Sequence, residues 1–280
     1  MNTAVKTSAL AFLGLFVWTC SKKTESSEPP QEKRAVVEMV TDHGTMIIEL
    51  YNETPLHRDN FLKLARTGAY DSLLFHRVIE DFMIQGGDPD SRIAKPNEEL
   101  SEGDVPYTID EEINPSLFHK KGALGAARDG NPKRASSGMQ FYIVHRGVQT
   151  DSLIDIAEGR INGWLANHYS KNDSANRELL NAYLEAEAKE DTLIYALLGD
   201  SLNALAKDYN DFEKYTIPEA HRAIYKTLGG TPHLDQNYTV FGQVVKGLDV
   251  IDAIATVPTD QSDRPEKDVR ILSVKVLDQN

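Results

Sequence analysis

The strongest limit on the fold is a change of pattern in the middle of the chain. Residues 150–228 are rich in Ala, Leu, Glu and Asn and poor in β-branched residues, whereas the stretches on either side are short apolar runs broken by turn signals. In the middle stretch Ile194, Leu198, Leu202, Leu205 and Tyr209 recur at spacings of three and four, the mark of one helix face, and Leu180, Tyr183 and Leu184 suggest another. The segment carries 14 Asp/Glu against 8 Lys/Arg and reads as an inserted subdomain of three or four helices. Gly229-Gly230-Thr231-Pro232 marks the return hinge. The flanks, residues 35–149 and 229–280, then form one discontinuous domain.

Those flanks are strand-like. Val36-Val37-Glu38-Met39-Val40 and Met46-Ile47-Ile48-Glu49-Leu50 are strand candidates, and Asp42-His43-Gly44-Thr45 between them is a hairpin signal. Thr54-Pro55 opens a helix, with Thr54 as cap, Pro55 in the first turn, an apolar face of Phe61, Leu62, Leu64 and Ala65, and Gly68 at its end. Further strand-like runs fall at 73–79, 82–85, 123–127, 140–144, 238–245 and 269–276. Many short strands with few helices predict a barrel or sandwich.

The N-terminus follows neither pattern. After Lys6, residues 9–18 are an unbroken apolar run, too short to span a bilayer, which takes about 20 apolar residues. It fits the apolar core of a secretory signal, so residues 1–20 are expected to be an export signal. Cys20 follows directly, and residues 21–34 turn polar and read as a flexible linker. This layout resembles a bacterial lipoprotein precursor, which implies lipidation at Cys20 and an exported, membrane-tethered product of the cell envelope, on the periplasmic side or at the outer membrane. Thr19 and Val17 depart from the small residue and Leu usual before such a cysteine. A soluble periplasmic product and an uncleaved short anchor are the alternatives.

Composition narrows the chemistry. A chain of 280 residues can hold one packed domain of roughly 150–200 residues plus extra material. Its net charge of −13 gains nothing from the counterion release that drives nucleic-acid binding, so no nucleic-acid partner is expected. A single cysteine allows no internal disulfide, and the eight His are scattered without metal-ligand spacing, so neither metal nor cofactor is expected.

Three segments carry the function. The first is Phe75-His76-Arg77-Val78-Ile79-Glu80-Asp81-Phe82-Met83-Ile84-Gln85-Gly86-Gly87-Asp88. The second is Gly122-Ala123-Leu124-Gly125-Ala126-Ala127-Arg128 with Ser136-Ser137-Gly138-Met139-Gln140-Phe141-Tyr142-Ile143. The third is Thr231-Pro232-His233-Leu234-Asp235 with Tyr238-Thr239-Val240-Phe241-Gly242. In this order they resemble the cyclophilin family of peptidyl-prolyl isomerases, over roughly residues 35–146 and 230–277. The resemblance implies a mainly β fold: a closed eight-stranded antiparallel barrel with a helix packed over each end, to which the α-helical subdomain is added. It implies a site on the outer face comprising Arg77, Phe82, Met83, Gln85, Ala127, Tyr142, His233, Leu234 and Tyr238. Well-known members carry Trp where this chain has His233 and His where it has Tyr238.

Physical chemistry gives those residues work. Rotation about an amide breaks resonance, and in the twisted transition state the prolyl nitrogen recovers its lone pair. A donor aimed there stabilises the transition state above the ground state, and Arg77 is the candidate donor. Gln85 can hold the carbonyl before the proline, while Phe82, Met83, Tyr142 and Leu234 enclose the ring. Taken singly, Arg77 reads as a surface ion-pair residue and Phe82 and Met83 as core. Phe75 and Phe141 read as core, Phe141 facing opposite to Tyr142, and His76 as structural. The expected function is isomerisation of Xaa–Pro bonds in proline-containing exported polypeptides. The rival is a proline-segment-binding module, or a chaperone whose inserted helices dock clients.

Overall fold

A computed structural model describes Met1, residues 33–96 and residues 98–278. The expected signal, Cys20, and all of the linker except Lys33 and Arg34 lie outside the described residues. The strands are β1 (Val36–Thr41), β2 (Gly44–Leu50), β3 (Arg77–Ile79), β4 (Met83–Gly86), β5 (Thr108–Ile109), β6 (Ala123–Ala126), β7 (Ser136–Ser137), β8 (Phe141–Val144), β9 (Val240–Lys246) and β10 (Ile271–Leu277). Eight of them form one antiparallel sheet in the order β10-β1-β2-β9-β6-β8-β4-β3, and β5 pairs with β7. Thr41 stands opposite Gly44, so Asp42-His43 form the two-residue hairpin turn, fastened by the Thr41 hydroxyl, which donates to the Gly44 carbonyl at 2.9 Å.

Period-two alternation sorts the side chains. Val37 and Met39 of β1, Met46, Ile48 and Leu50 of β2, Ile84, Leu124, Phe141, Ile143, Phe241, Ile271 and Val274 all point to one buried interior, joined by Phe75. Two helices complete it: α1 (Pro55–Arg66) through Phe61, Leu62, Leu64 and Ala65, and α6 (Leu248–Ala255) through Val250, Ile251, Ile254 and Ala255. The neighbours in sequence, Met83, Ala123, Tyr142, Val144 and Val240, form a second cluster on the outer face.

The sheet curves into a half-barrel with two ends, β10 and β3, rather than a continuous closed ladder. The strand expected over 73–79 is interrupted because the Leu74 N–H donates to the Ser91 hydroxyl at 3.0 Å, leaving only Arg77–Ile79 in the ladder. Across the seam are the isolated bridge Leu74–Arg270 and the backbone bonds Phe75 N–H to Val269 O (2.9 Å) and Ile271 N–H to Leu73 O (2.8 Å).

Between β8 and β9 lie α2 (Asp151–Asn172), α3 (Arg177–Ala188), α4 (Thr192–Ala206) and α5 (Glu219–Thr227). Thr150 caps α2 by accepting from the Leu153 N–H, and Asp191 caps α4 by accepting from Ile194. Ile154, Ile161 and Leu165 of α2 and Tyr225 of α5 pack with Phe118 and Ile217. The apolar face read on α4 is only partly covered: Leu202 is fully buried, while Ile194 and Leu205 are exposed. Tyr183 of α3 instead stacks on Tyr195 of α4, ring centroids 4.5 Å apart.

The start of α1 also differs from expectation. The Thr54 side chain makes no capping bond and its hydroxyl is buried without a partner. The cap is the Glu112 carboxylate, which accepts from the N–H of Leu56 (3.0 Å) and of His57 (2.9 Å) and from the His57 ring (2.7 Å). Burial opposes ionisation of Glu112, but these bonds outweigh it and hold the carboxyl below its ordinary range. Glu112→Ala should lower unfolding free energy by about 1–2 kcal/mol, the cost of losing a helix cap, and Thr54→Val should cost less, both read from urea midpoints. The opposite ranking would contradict this assignment of the cap.

Candidate active site

Strand register sets the site out as one cross-strand row. Arg77 of β3 stands opposite Gln85 of β4, Gln85 opposite Tyr142 of β8, and Tyr142 opposite Gly125 of β6. A Cβ at Gly125 would overlap the Tyr142 ring, so glycine is what lets that ring lie across β6. Met83, two residues before Gln85, shares the row's face. Leu234 arrives in a short 3-10 turn, Pro232–Leu234, and the Tyr238 ring stands edge-on to Tyr142 with centroids 6.1 Å apart.

The polar groups are held in a defined sense. The Gln140 amide donates to the carbonyls of Ser101 and Gly103, each at 2.8 Å, so its own oxygen faces the Gln85 amide, which donates to it at 3.0 Å. The Gln85 oxygen is thereby turned to Arg77, whose Nη1 lies 3.4 Å away, and one Gln85 amide hydrogen stays uncommitted. Arg77 Nε sits 3.5 Å from Asp263 at the cleft edge. Among the described residues Arg77 has no other hydrogen-bond or ion-pair partner, so Nη2 is free to donate.

Behind the row runs a buried hydrogen-bonded chain. The Tyr142 hydroxyl meets His119 Nε2 at 2.8 Å, and His119 Nδ1 meets Asp235 Oδ1 at 2.8 Å. The His119 backbone N–H also donates to Oδ1 (2.9 Å), and the Tyr225 hydroxyl donates to Oδ2 (2.7 Å). With Nδ1–H donating to the carboxylate, Nε2 accepts from the tyrosine. Burial pushes the Tyr142 phenol well above its ordinary range, so it stays neutral.

Of the nine residues expected at the site, eight line a cavity of about 330 Å³: Arg77, Phe82, Met83, Gln85, Ala127, Tyr142, Leu234 and Tyr238. His233 does not line it. Its ring stacks on Phe82 (5.8 Å, 19°) and meets Trp164 of α2 edge-on (6.3 Å), so it supports the wall from behind. Two lining residues were missed, Ser101 and Arg128. Arg128 lies beside Ala127 in the second motif, and its guanidinium covers the Tyr238 ring at 4.6 Å. Ser101 sits in an acidic loop that offers no signal in sequence.

Two histidines near the site are held neutral. Burial brings His76, whose ring nitrogens have no partner, down to about 4. Burial, with Arg160 and other nearby cationic groups, brings His233 to about 4 from an ordinary 6.5. The unfolded chain therefore binds more protons than the folded chain between these values, and stability falls as pH drops through that window. The urea midpoint should decline from pH 6.5 to 5, where carboxylates remain largely ionised, and decline less in His233→Phe; a flat profile in the wild type would contradict these shifts.

A family model described as cyclophilin type peptidyl-prolyl cis-trans isomerase/CLD matches residues 36–161 and 223–276. A Streptococcus pyogenes protein named as a bifunctional phosphatase/peptidyl-prolyl cis-trans isomerase is 31% identical over 245 residues, covering 86% of this chain but 38% of that protein's length. A Staphylococcus haemolyticus protein named as a peptidyl-prolyl cis-trans isomerase is 29% identical over 250 residues, 89% of this chain and 94% of that one. The crystal structure of a Cryptosporidium parvum cyclophilin type peptidyl-prolyl cis-trans isomerase matches the fold with a TM-score of 0.52 at 19% identity, over 89% of this chain and 100% of that chain. A crystal structure of it in the presence of the dipeptide Ala-Pro gives 0.50 at 19% identity, over 87% and 99% of the two chains. With the fold and the matched segments in agreement, this chain belongs to the cyclophilin-type peptidyl-prolyl cis-trans isomerase family.

Proposed function

We propose that the chain accelerates rotation about Xaa–Pro bonds in exported proteins, with Arg77 as the group that acts on the reacting atom. The amide barrier is about 18–20 kcal/mol. The proline ring would seat against Phe82, Met83, Tyr142 and Leu234, so that the preceding carbonyl is the part that swings. The free Arg77 donors would meet the lone pair that the prolyl nitrogen regains on twisting, and the spare Gln85 amide hydrogen would follow the carbonyl oxygen. Such donors help because the transition state offers a stronger acceptor than the ground state. The observation that carries this reading is the row Arg77–Gln85–Tyr142 lining one cavity together with the apolar side chains of Phe82, Met83 and Leu234. The bonds between residues 73–75 and 269–271 support a barrel closed at that seam, which would hold β3, and Arg77 with it, in place.

A second reading has one observation in its favour. Leu193, Ile194, Leu197 and Leu205 of α4 are exposed, a surface that a protein holding unfolded clients could use. One assay separates the two: exchange NMR on an Ala-Pro peptide. Loss of a positioned donor costs about 10²–10³-fold in rate, so Arg77→Ala should lower kcat/KM by that order. Binding without acceleration by the wild type would favour the holding module.

For location, we propose lipidation at Cys20 after export, on the strength of a sole cysteine set between an apolar run and a polar linker. Palmitate should label the wild type and not Cys20→Ala; equal labelling of both would refute the anchor.

A further inference from the structure

The helices between β8 and β9 give the protein a second cavity, about 390 Å³, beside the first. One wall is α2: Trp164, His168 and Lys171, spaced by four and three, share a helix face. The other wall brings Arg128, Arg134 and Tyr238. Arg128 and Tyr238 line both cavities, so the two are contiguous. The Trp164 ring stands at the junction, edge-on to Tyr238 and to His233, each at 6.3 Å.

The charge of this cavity opposes that of the chain. Arg128, Arg134 and Lys171 line it against one carboxylate, Asp129, in a protein of net charge −13. Two of the cations are committed. Arg134 pairs with Glu111 at 2.5 Å, and Arg128 donates to the Asn237 backbone and side-chain oxygens at 3.1 and 2.9 Å. Lys171 makes no hydrogen bond or ion pair among the described residues. Partial burial lowers its ammonium pKa, and no neighbouring carboxylate offsets the shift. A half-buried, unpaired cation is a costly arrangement that an incoming anion relieves.

We propose that α2 supplies a specificity subsite, in which a carboxylate side chain of the substrate polypeptide, within a few residues of its proline, pairs with Lys171 while Trp164 packs on the intervening chain. The proposal rests on the first cavity being the proline site, because a polypeptide held there by its proline runs into the second past Arg128 and Tyr238. It makes Lys171 and Trp164 residues that select among Xaa–Pro bonds by their surroundings.

The test is calorimetric binding of Ala-Pro-centred peptides bearing Glu or Lys at each of the two positions before and after the proline, at low salt, with exchange NMR run in parallel. At one or more positions the wild type should bind the Glu peptide about fivefold tighter than the Lys peptide, the size of one favourable ion pair. Lys171→Gln should reduce that ratio and Lys171→Glu should invert it. Each ratio is taken within one variant, so a general loss of affinity does not mimic the effect. An unchanged ratio in Lys171→Glu, or no charge preference in the wild type, overturns the subsite. Isomerisation without charge preference would sink the subsite and leave the proposed function standing; Lys171-dependent preference without isomerisation would do the reverse.

Discussion

The buried carboxylate of Asp235 is the point on which the site hangs. Removing a carboxylate from water is costly unless donors surround it, and this one receives the His119 ring, the His119 backbone N–H and the Tyr225 hydroxyl. Those bonds tie together three separate parts of the chain: the segment before β6, helix α5, and the return into the β domain. Asp235 follows Leu234 and precedes Tyr238 by three residues, so anchoring it also sets two walls of the cavity. Through His119 it further orients Tyr142, the inner end of the polar row. A helix that lies outside the strands thus contributes, through Tyr225, to the position of the apolar pocket.

The site lies outside the barrel interior because of strand periodicity. Phe141 and Tyr142 are neighbours, yet one fills the interior and the other faces the cleft. The cleft contains few groups that change charge near neutral pH. Arginine stays protonated, the Tyr142 phenol is held neutral, and His233, behind the wall, is neutral above about 4. Such an environment suits the proposed reaction, in which no covalent bond breaks and no proton is transferred and fixed dipoles and cations do the stabilising.

The parts of the fold legible in sequence are those set by local pattern. The Asp42-His43 turn, the interior face of α1 and the opposite facing of Phe141 and Tyr142 all follow from spacing, and the cavity-lining row was readable from contiguous motifs. What escaped depends on distant partners. Thr54 looks like a cap, but Glu112, more than fifty residues away, takes the role. A run at 73–79 looks like one strand until Ser91 draws off a backbone donor. The apolar spacing of α4 marks one helix face, of which Leu202 is buried while Ile194 and Leu205 meet solvent, because periodicity shows that a face is apolar and says nothing of what covers it. Helix α6, only eight residues long, offers too few turns for its period to stand out. Nothing in the local pattern singles out Trp164; tertiary packing sets it beside Tyr238 and His233.

The central claim is that the proline of a substrate sits in the cavity beneath Arg77. Its most direct test is the structure of the protein with a bound Ala-Pro-containing peptide, by crystallography or intermolecular NOEs. The account predicts the proline ring in contact with Phe82, Met83, Tyr142 and Leu234, and the Arg77 guanidinium within hydrogen-bond reach of the prolyl nitrogen. A peptide seated instead on the exposed leucines of α4, with the cavity empty, would contradict it.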